Sequence, residues 1–136
     1  MRVAVVYYKN GFEKVKEVAT LLARGVESSG HQVSIINMET DSDVRLTIFD
    51  YIILGTAPNS FFSGKISGKI SENLKNSGTV SGKKCYAFVV KKGLFVSKAL
   101  QSLMKIMEKE GMFLKISDVI SAADEAELIG KKLHIT

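Results

Sequence analysis

Apolar segments typical of buried strands alternate with segments of helical periodicity along this chain. The run 3–8 is a continuous stretch of β-branched, aliphatic and aromatic residues, as expected for a strand covered on both faces of a parallel sheet, and the largely apolar runs 49–55 and 85–90 are also predicted strands. Two further strands are predicted at 31–37 and 113–120. Because parallel neighbours need crossover connections, the alternation predicts an α/β fold with a doubly wound sheet of five parallel strands.

Amphipathic segments occupy the intervals between these strands. Apolar residues recur at spacings of three and four over 13–29, at a spacing of four over 66–74, and in the clearest helical pattern of the chain over 99–107. A short closing helix is predicted over 123–133, while the polar stretch 38–46 is interpreted as a loop or a short surface helix. Right-handed crossovers place such helices on both faces of the sheet, which predicts a three-layer architecture.

The length of 136 residues is close to the commonest domain size, so we expect one domain spanning 1–136. No apolar run approaches the roughly 20 residues that cross a bilayer, and no membrane association is predicted. The first eight residues enter a strand-like run without the basic, apolar and small-residue regions of a signal peptide. We therefore expect a cytoplasmic protein.

Charged and titratable residues exclude several kinds of site. Nineteen Lys and Arg residues against fourteen Asp and Glu give a formal charge of +5, which favours anionic partners but indicates nucleic acid only weakly. The single cysteine, Cys85, lies in an apolar strand-like run and is interpreted as a buried, inert thiol. The two histidines, His31 and His134, lack metal-ligand spacing. Neither a catalytic residue nor a metal site is predicted.

The turn after the first strand excludes two other α/β chemistries. A phosphoacceptor receiver domain needs a carboxylate pair there, whereas this chain has Tyr8, Lys9 and Asn10. A dinucleotide-binding fold needs a Gly-x-Gly-x-x-Gly turn, and Gly11 stands alone. In a doubly wound sheet any ligand is expected outside the carboxyl ends of the strands. Three loops are therefore of interest: the first at 9–12, the second at 56–64 and the third at 91–95.

Two stretches of the chain resemble the flavodoxin family. Residues 2–8, followed by 18–26 and 30–33, look like that family's opening strand, first helix and second strand. Residues 51–58, followed by 61–70, look like its third strand, a flavin-contacting loop and the next helix. The resemblance extends along nearly the whole chain and implies the strand order 2-1-3-4-5.

The resemblance implies a function as well as a fold. It implies noncovalent FMN with its phosphate in the first loop and its ring between the second and third, and electron transfer to a redox partner protein. The basic charge favours an acidic partner. The cofactor-contacting residues implied are Lys9, Asn10, Gly11, Phe12, Thr56, Ala57, Pro58, Asn59, Ser60, Phe61, Phe62, Lys91, Lys92, Gly93, Leu94 and Phe95.

The first loop departs from the family pattern. Flavodoxins carry Thr-x-Thr-Gly-x-Thr there, whereas residues 9–13 of this chain contain no hydroxyl side chain. If hydrogen bonds to a charged group are worth about 1.5–3 kcal/mol each, losing two weakens phosphate binding by about two to four powers of ten. Lys9, Asn10 and Gly11 offer a positive charge, amide donors and close backbone approach in return. Glu13, near the helix start, would repel a phosphate.

Two alternatives to an electron carrier remain open. One is a flavodoxin-like domain that has lost its flavin and acts as a binding or regulatory module. Phe61 and Phe62 would then cap the core or meet a partner, and Lys91 and Lys92 would form a solvated turn. The other is a flavin-dependent oxidoreductase with its own substrate, for which the sequence offers no nicotinamide signature. An electron carrier is favoured over an enzyme.

Overall fold

A parallel sheet forms the middle layer of the fold. The computed structural model describes residues 1–41 and 43–136. Within those residues the strands, in chain order, are β1 (Arg2–Tyr7), β2 (Gln32–Asn37), β3 (Tyr51–Thr56), β4 (Lys84–Val90) and β5 (Phe113–Ile120). Their order in the sheet is β2-β1-β3-β4-β5 and every neighbouring pair is parallel. The predicted fold class and the order 2-1-3-4-5 are confirmed.

Helices cover both faces of this sheet. Within the described residues they are α1 (Lys14–Ser28), α2 (Lys69–Lys75), α3 (Val96–Lys109) and α4 (Ala123–Lys132). The apolar side chains of α1 and α4 belong to one core cluster, and those of α2 and α3 belong to the cluster on the opposite face. The molecule therefore has the three layers expected of a doubly wound sheet.

The central strands are buried almost throughout, whereas the edge strands are not. All six residues of β3 are buried, and six of the seven in β4, including Cys85, are buried too. Cys85 is fully buried, and this burial raises the pKa of its thiol to about 12, so the thiol stays protonated.

The edge strand β5 pairs with β4 through a bulge at Lys115, an irregularity that discourages further strand pairing.

The connections on the α2 side differ in detail from the sequence prediction. Helix α2 begins at Lys69, and Ile66 lies before it, because Gly68 caps the helix while the Ser67 hydroxyl accepts the Lys69 N–H at 3.2 Å. Part of the stretch 38–46 is a turn leading to a 3-10 helix at Leu46–Ile48, and residue 42 lies outside the described residues.

A cavity of about 170 Å³ lies beside this connection. Its lining combines apolar and polar side chains from β1, β2, the β2–β3 connection and α2: Val6, Ile36, Met38, Asp41, Val44, Leu46, Asn73, Asn76 and Ser77. It lies on the α2–α3 side of the sheet. None of the predicted cofactor residues lines this cavity.

Helices α1 and α4 cross at two glycines. A Cβ placed on Gly25 would lie 2.1 Å from the carbonyl oxygen of Glu127, and a Cβ on Gly130 would lie 2.2 Å from that of Leu22. Both distances are far below van der Waals contact, and both neighbours are backbone atoms that cannot rotate away. The absence of side chains at this crossing lets the two backbones approach and bury their apolar stripes together.

Candidate functional site

The first, second and third loops follow β1, β3 and β4, the three adjacent central strands. Because the strands are parallel, their carboxyl ends lie at one edge of the sheet, where doubly wound folds bind ligands. The predicted cofactor residues all come from these loops. The contacts between the three loops show which of the predicted residues lie together. They also show which side chains remain available to a ligand.

Asn10 connects the first loop to the second. Its backbone is left-handed, with φ of +55°, a conformation that Asn tolerates better than most residues. The Nδ2 group donates to the Ala57 carbonyl at 3.0 Å and to Asn59 Oδ1 at 2.8 Å. Both amide hydrogens of Asn10 are therefore engaged within the protein, and the side chain holds the first loop to the second.

Thr56, at the end of β3, connects the second loop to the residue that follows β1. It is fully buried, and its Oγ1 donates to the Tyr8 carbonyl at 2.7 Å. The next two residues, Ala57 and Pro58, are also buried. The Thr56 hydroxyl, one of the polar groups predicted to contact the cofactor, is thus bonded to the protein backbone. The exposed residues of the second loop begin at Asn59.

Gly93 allows the second and third loops to touch. The Leu94 N–H donates to the Phe61 carbonyl at 3.0 Å. Gly93 has φ of +76°, and a Cβ there would lie 2.1 Å from the same Phe61 oxygen. The junction requires glycine both for its backbone conformation and for its space.

A lysine over an aromatic ring links the third loop to the first. The Lys92 Nζ lies 5.4 Å from the centroid of the Phe12 ring, and Phe12 packs partly buried against the core. This is cation–π distance. Lys91 is exposed, and its backbone N–H donates to the Ile120 carbonyl at 2.9 Å. A freely solvated turn therefore describes Lys91 but not Lys92.

Large apolar side chains project from the second and third loops. Phe61 is 61% exposed, Phe62 79%, Leu94 72% and Phe95 45%. This exposure excludes the interpretation in which the two phenylalanines cap the core. We call these four residues the loop-tip patch. Large apolar side chains exposed together on two touching loops often mark a ligand or partner site.

The charge of the first loop is neutralised locally. Lys9 Nζ lies 2.8 Å from Glu13 Oε1, and this hydrogen-bonded ion pair raises the pKa of Lys9 and lowers the pKa of Glu13. The Lys9 backbone N–H also donates to Glu39 Oε1 at 3.0 Å. The spacing of four between Lys9 and Glu13 is a sequence signal for the pair, whereas nothing in the sequence indicates Glu39.

Backbone donors at the start of α1 are better placed for an anion than the side chains. Within the described residues, the N–H groups of Asn10, Gly11, Glu13 and Lys14 have no hydrogen-bond acceptor. Asn10 and Gly11 both have positive φ, and successive N–H groups in such turns form anion-binding concavities. The helix dipole adds partial positive charge at the same place.

Comparison with known proteins shows the fold but no closer kinship. No family model and no curated protein matches the chain. Among solved structures, oxidised Flavodoxin 1 from Bacillus cereus matches with a TM-score of 0.74 at 14% identity, over 98% of this chain and all of that one. Oxidised Flavodoxin 2 from the same organism matches at 0.73 and 15%, over 96% and 95%. A flavodoxin from the domain Archaea matches at 0.68 and 17%, over 96% and 94%. The chain has a flavodoxin-like fold.

Helix length bears on membrane crossing. Among residues 1–41 and 43–136, no helix is both long and apolar enough to span a bilayer. The longest described helix, α1, has 15 residues, five of them charged.

Proposed function

We propose that this protein binds FMN at the first, second and third loops and transfers electrons to a partner protein. The observation that carries the proposal is the exposed loop-tip patch on a flavodoxin-like scaffold. It is joined by the backbone N–H groups of Asn10, Gly11, Glu13 and Lys14, which have no acceptor among the described residues. Apolar surface next to an anion-binding backbone suits a ligand with a flat apolar ring and a phosphate.

The phosphate would be held by backbone groups. The N–H groups of Asn10, Gly11, Glu13 and Lys14 offer charge-assisted hydrogen bonds without any hydroxyl side chain. Gly11 has no side chain, and no other atom lies within 4 Å of the point that a Cβ would occupy there, which leaves room for an anion to approach. Backbone donation thus provides a physical route around the missing hydroxyls.

The ring would be held by the loop-tip patch. Phe61, Phe62, Leu94 and Phe95 supply aromatic and aliphatic surface that would exclude water from one side of a flat ring system. Lys91 and Lys92 add positive charge nearby, which would stabilise negative charge on the ring. The bound cofactor would supply the redox chemistry, while the chain binds and orients it. This division of work fits an electron carrier without catalytic side chains of its own.

A second candidate is a flavodoxin-like domain without flavin that acts as a binding or regulatory module. The observation that favours it is the engagement of both polar side chains in the first loop. Lys9 is paired with Glu13, and Asn10 donates to Ala57 and Asn59. Neither side chain is free to compensate for the missing hydroxyls. This candidate expects a colourless protein whose melting temperature does not respond to FMN.

A fluorescence titration separates the two candidates. Flavin fluorescence is followed as protein is added to FMN, and the melting temperature is measured with and without FMN. The proposal expects saturable quenching within tens of micromolar, together with a stabilisation of several degrees. Absence of both changes would contradict FMN binding and favour the flavin-free module.

Replacing Glu13 should strengthen FMN binding. Glu13→Gln removes a negative charge from the start of α1 and releases the Lys9 ammonium from its ion pair. We expect the FMN affinity to rise by about two- to fivefold, because an anion at a helix N-terminus would no longer face a carboxylate. The matched control is Glu27→Gln, the same charge change on an exposed residue near the other end of α1. Equal responses to the two substitutions would mean that net charge, not the first loop, controls binding.

A further inference from the structure

Charge is strongly segregated along this chain. Residues 51–107 contain nine lysines, no arginine and a single acidic residue, Glu72, for a formal charge of +8. The remaining residues carry ten Lys and Arg against thirteen Asp and Glu, a formal charge of −3. The net charge of +5 therefore understates the charge of one part of the molecule and has the opposite sign to that of the rest.

The basic segment builds the α2–α3 layer and its adjoining loops. Lys83 and Lys84 are committed to the opposite end of the sheet, where their ammonium groups donate to backbone carbonyls. The other seven lie on α2, on α3 or in the segments that precede these helices, and we call them the lysine face: Lys65, Lys69, Lys75, Lys91, Lys92, Lys98 and Lys105. The ion pairs among the described residues involve none of these seven. Those pairs therefore do not neutralise their charge, and of the seven only Lys92 is engaged over an aromatic ring, that of Phe12, among the described residues.

The lysine face adjoins the loop-tip patch. Lys98 follows Phe95 by three residues in the first turn of α3, and a Cβ on Gly64 would lie 2.8 Å from the Lys98 Cβ. This contact brings the second loop, and with it the exposed Lys65, against the start of α3. Lys65 and Lys98 each follow a residue of the loop-tip patch, Phe62 and Phe95 respectively, by three positions, so both lysines adjoin the patch.

We infer that the lysine face and the loop-tip patch together dock an acidic protein surface. Protein interfaces usually combine an apolar core with a polar rim, and a charged patch that complements the partner's charge steers approach and sets orientation. The surface contains no arginine, the residue preferred for bidentate contacts with phosphates and bases, which argues against a nucleic-acid site. The surface shares the loop-tip patch, Lys91 and Lys92 with the predicted cofactor residues, whereas Lys65 and Lys98 lie outside them and can be tested independently of FMN.

The shape of the basic surface favours a protein over a lipid bilayer. Helix α3 runs away from the loops, so Lys105 lies about 15 Å along the helix from Phe95. A flat membrane that took up the loop tips would not reach lysines so far along the α2–α3 layer. A protein with a shaped acidic surface could contact both parts at once.

Defined probes test this inference. A fluorescent glutamate-rich peptide containing leucines serves as the acidic protein mimic, and oligothymidine of similar length and vesicles containing one-third phosphatidylserine serve as rivals. At low ionic strength the peptide should bind most tightly. The double variant Lys65→Glu/Lys98→Glu should weaken peptide binding by about tenfold or more. Phe62→Ser/Leu94→Ser should also weaken it while leaving its salt dependence unchanged.

The control is Lys16→Glu/Lys132→Glu, the same charge reversal at two exposed lysines on the α1–α4 layer. An equal loss of peptide binding in this control, or tighter binding of oligothymidine or vesicles by the wild-type protein, would overturn the inference. FMN titration of the Lys65→Glu/Lys98→Glu variant is read separately. Failure of FMN binding in every variant contradicts the proposed function and leaves the docking result unaffected.

Discussion

The substitution Gly25→Ala should destabilise the protein by about 2–3 kcal/mol and lower its melting temperature by about 5–10 °C. The new methyl group would lie 2.1 Å from the Glu127 carbonyl oxygen and 2.8 Å from the Lys131 nitrogen. Because both are backbone atoms of α4, the clash can be relieved only by moving the two helices apart. That separation would loosen the packing around Leu22 and Val26. The loss of packing free energy outweighs the gain in helix propensity from glycine to alanine.

The control for this prediction is Gly68→Ala. No atom lies within 4 Å of a Cβ at Gly68, and its φ of −64° suits alanine. Chemical denaturation of both variants should show Gly68→Ala within about 0.5 kcal/mol of the wild type. Similar stabilities for the two variants would contradict the close approach of α1 and α4.

The substitution Gly93→Ala should disrupt the candidate site. Alanine would be strained at a φ of +76° and would overlap the Phe61 carbonyl oxygen at 2.1 Å. The hydrogen bond from the Leu94 N–H to that oxygen would break, and the loop-tip patch would lose its arrangement. We expect a stability loss of about 2–4 kcal/mol and an FMN affinity lowered by about tenfold or more.

Gly82→Ala separates strain from overlap. Gly82 has a φ of +81° but no atom within 4 Å of a Cβ, so alanine there should cost only the conformational strain, about 1–2 kcal/mol. Gly82 lies in the turn before β4, at the other end of that strand from the third loop, and FMN affinity should not change. An equal effect of Gly82→Ala and Gly93→Ala on FMN binding would show that the loop junction does not matter to the site.

The sequence predicted the fold because burial leaves a clear signal in it. The strands β1, β3 and β4 are central and covered on both faces, so they appear as continuous apolar runs. The start of α2 was less predictable. Ile66 continues the helical spacing but packs against the core from outside the helix, and periodicity alone cannot separate those two cases.

The contacts of the site were less predictable than its location. The topology of parallel strands was enough to place three loops at one edge. The pairing of Asn10 with Ala57 and Asn59, and of Lys9 with Glu39, joins residues at least 30 positions apart and depends on side-chain orientation. No local pattern encodes such contacts. In the structure the Lys9 and Asn10 side chains make intramolecular contacts, and their predicted role in holding a phosphate stays a prediction.

Backbone amide chemical shifts, measured by NMR during an FMN titration, locate the flavin site directly. We expect the largest saturable shifts at Asn10, Gly11, Glu13 and Lys14, with further shifts across the loop-tip patch. Shifts confined to the cavity beside Asp41 and Asn73, or no saturable shifts anywhere, would contradict the proposed flavin site.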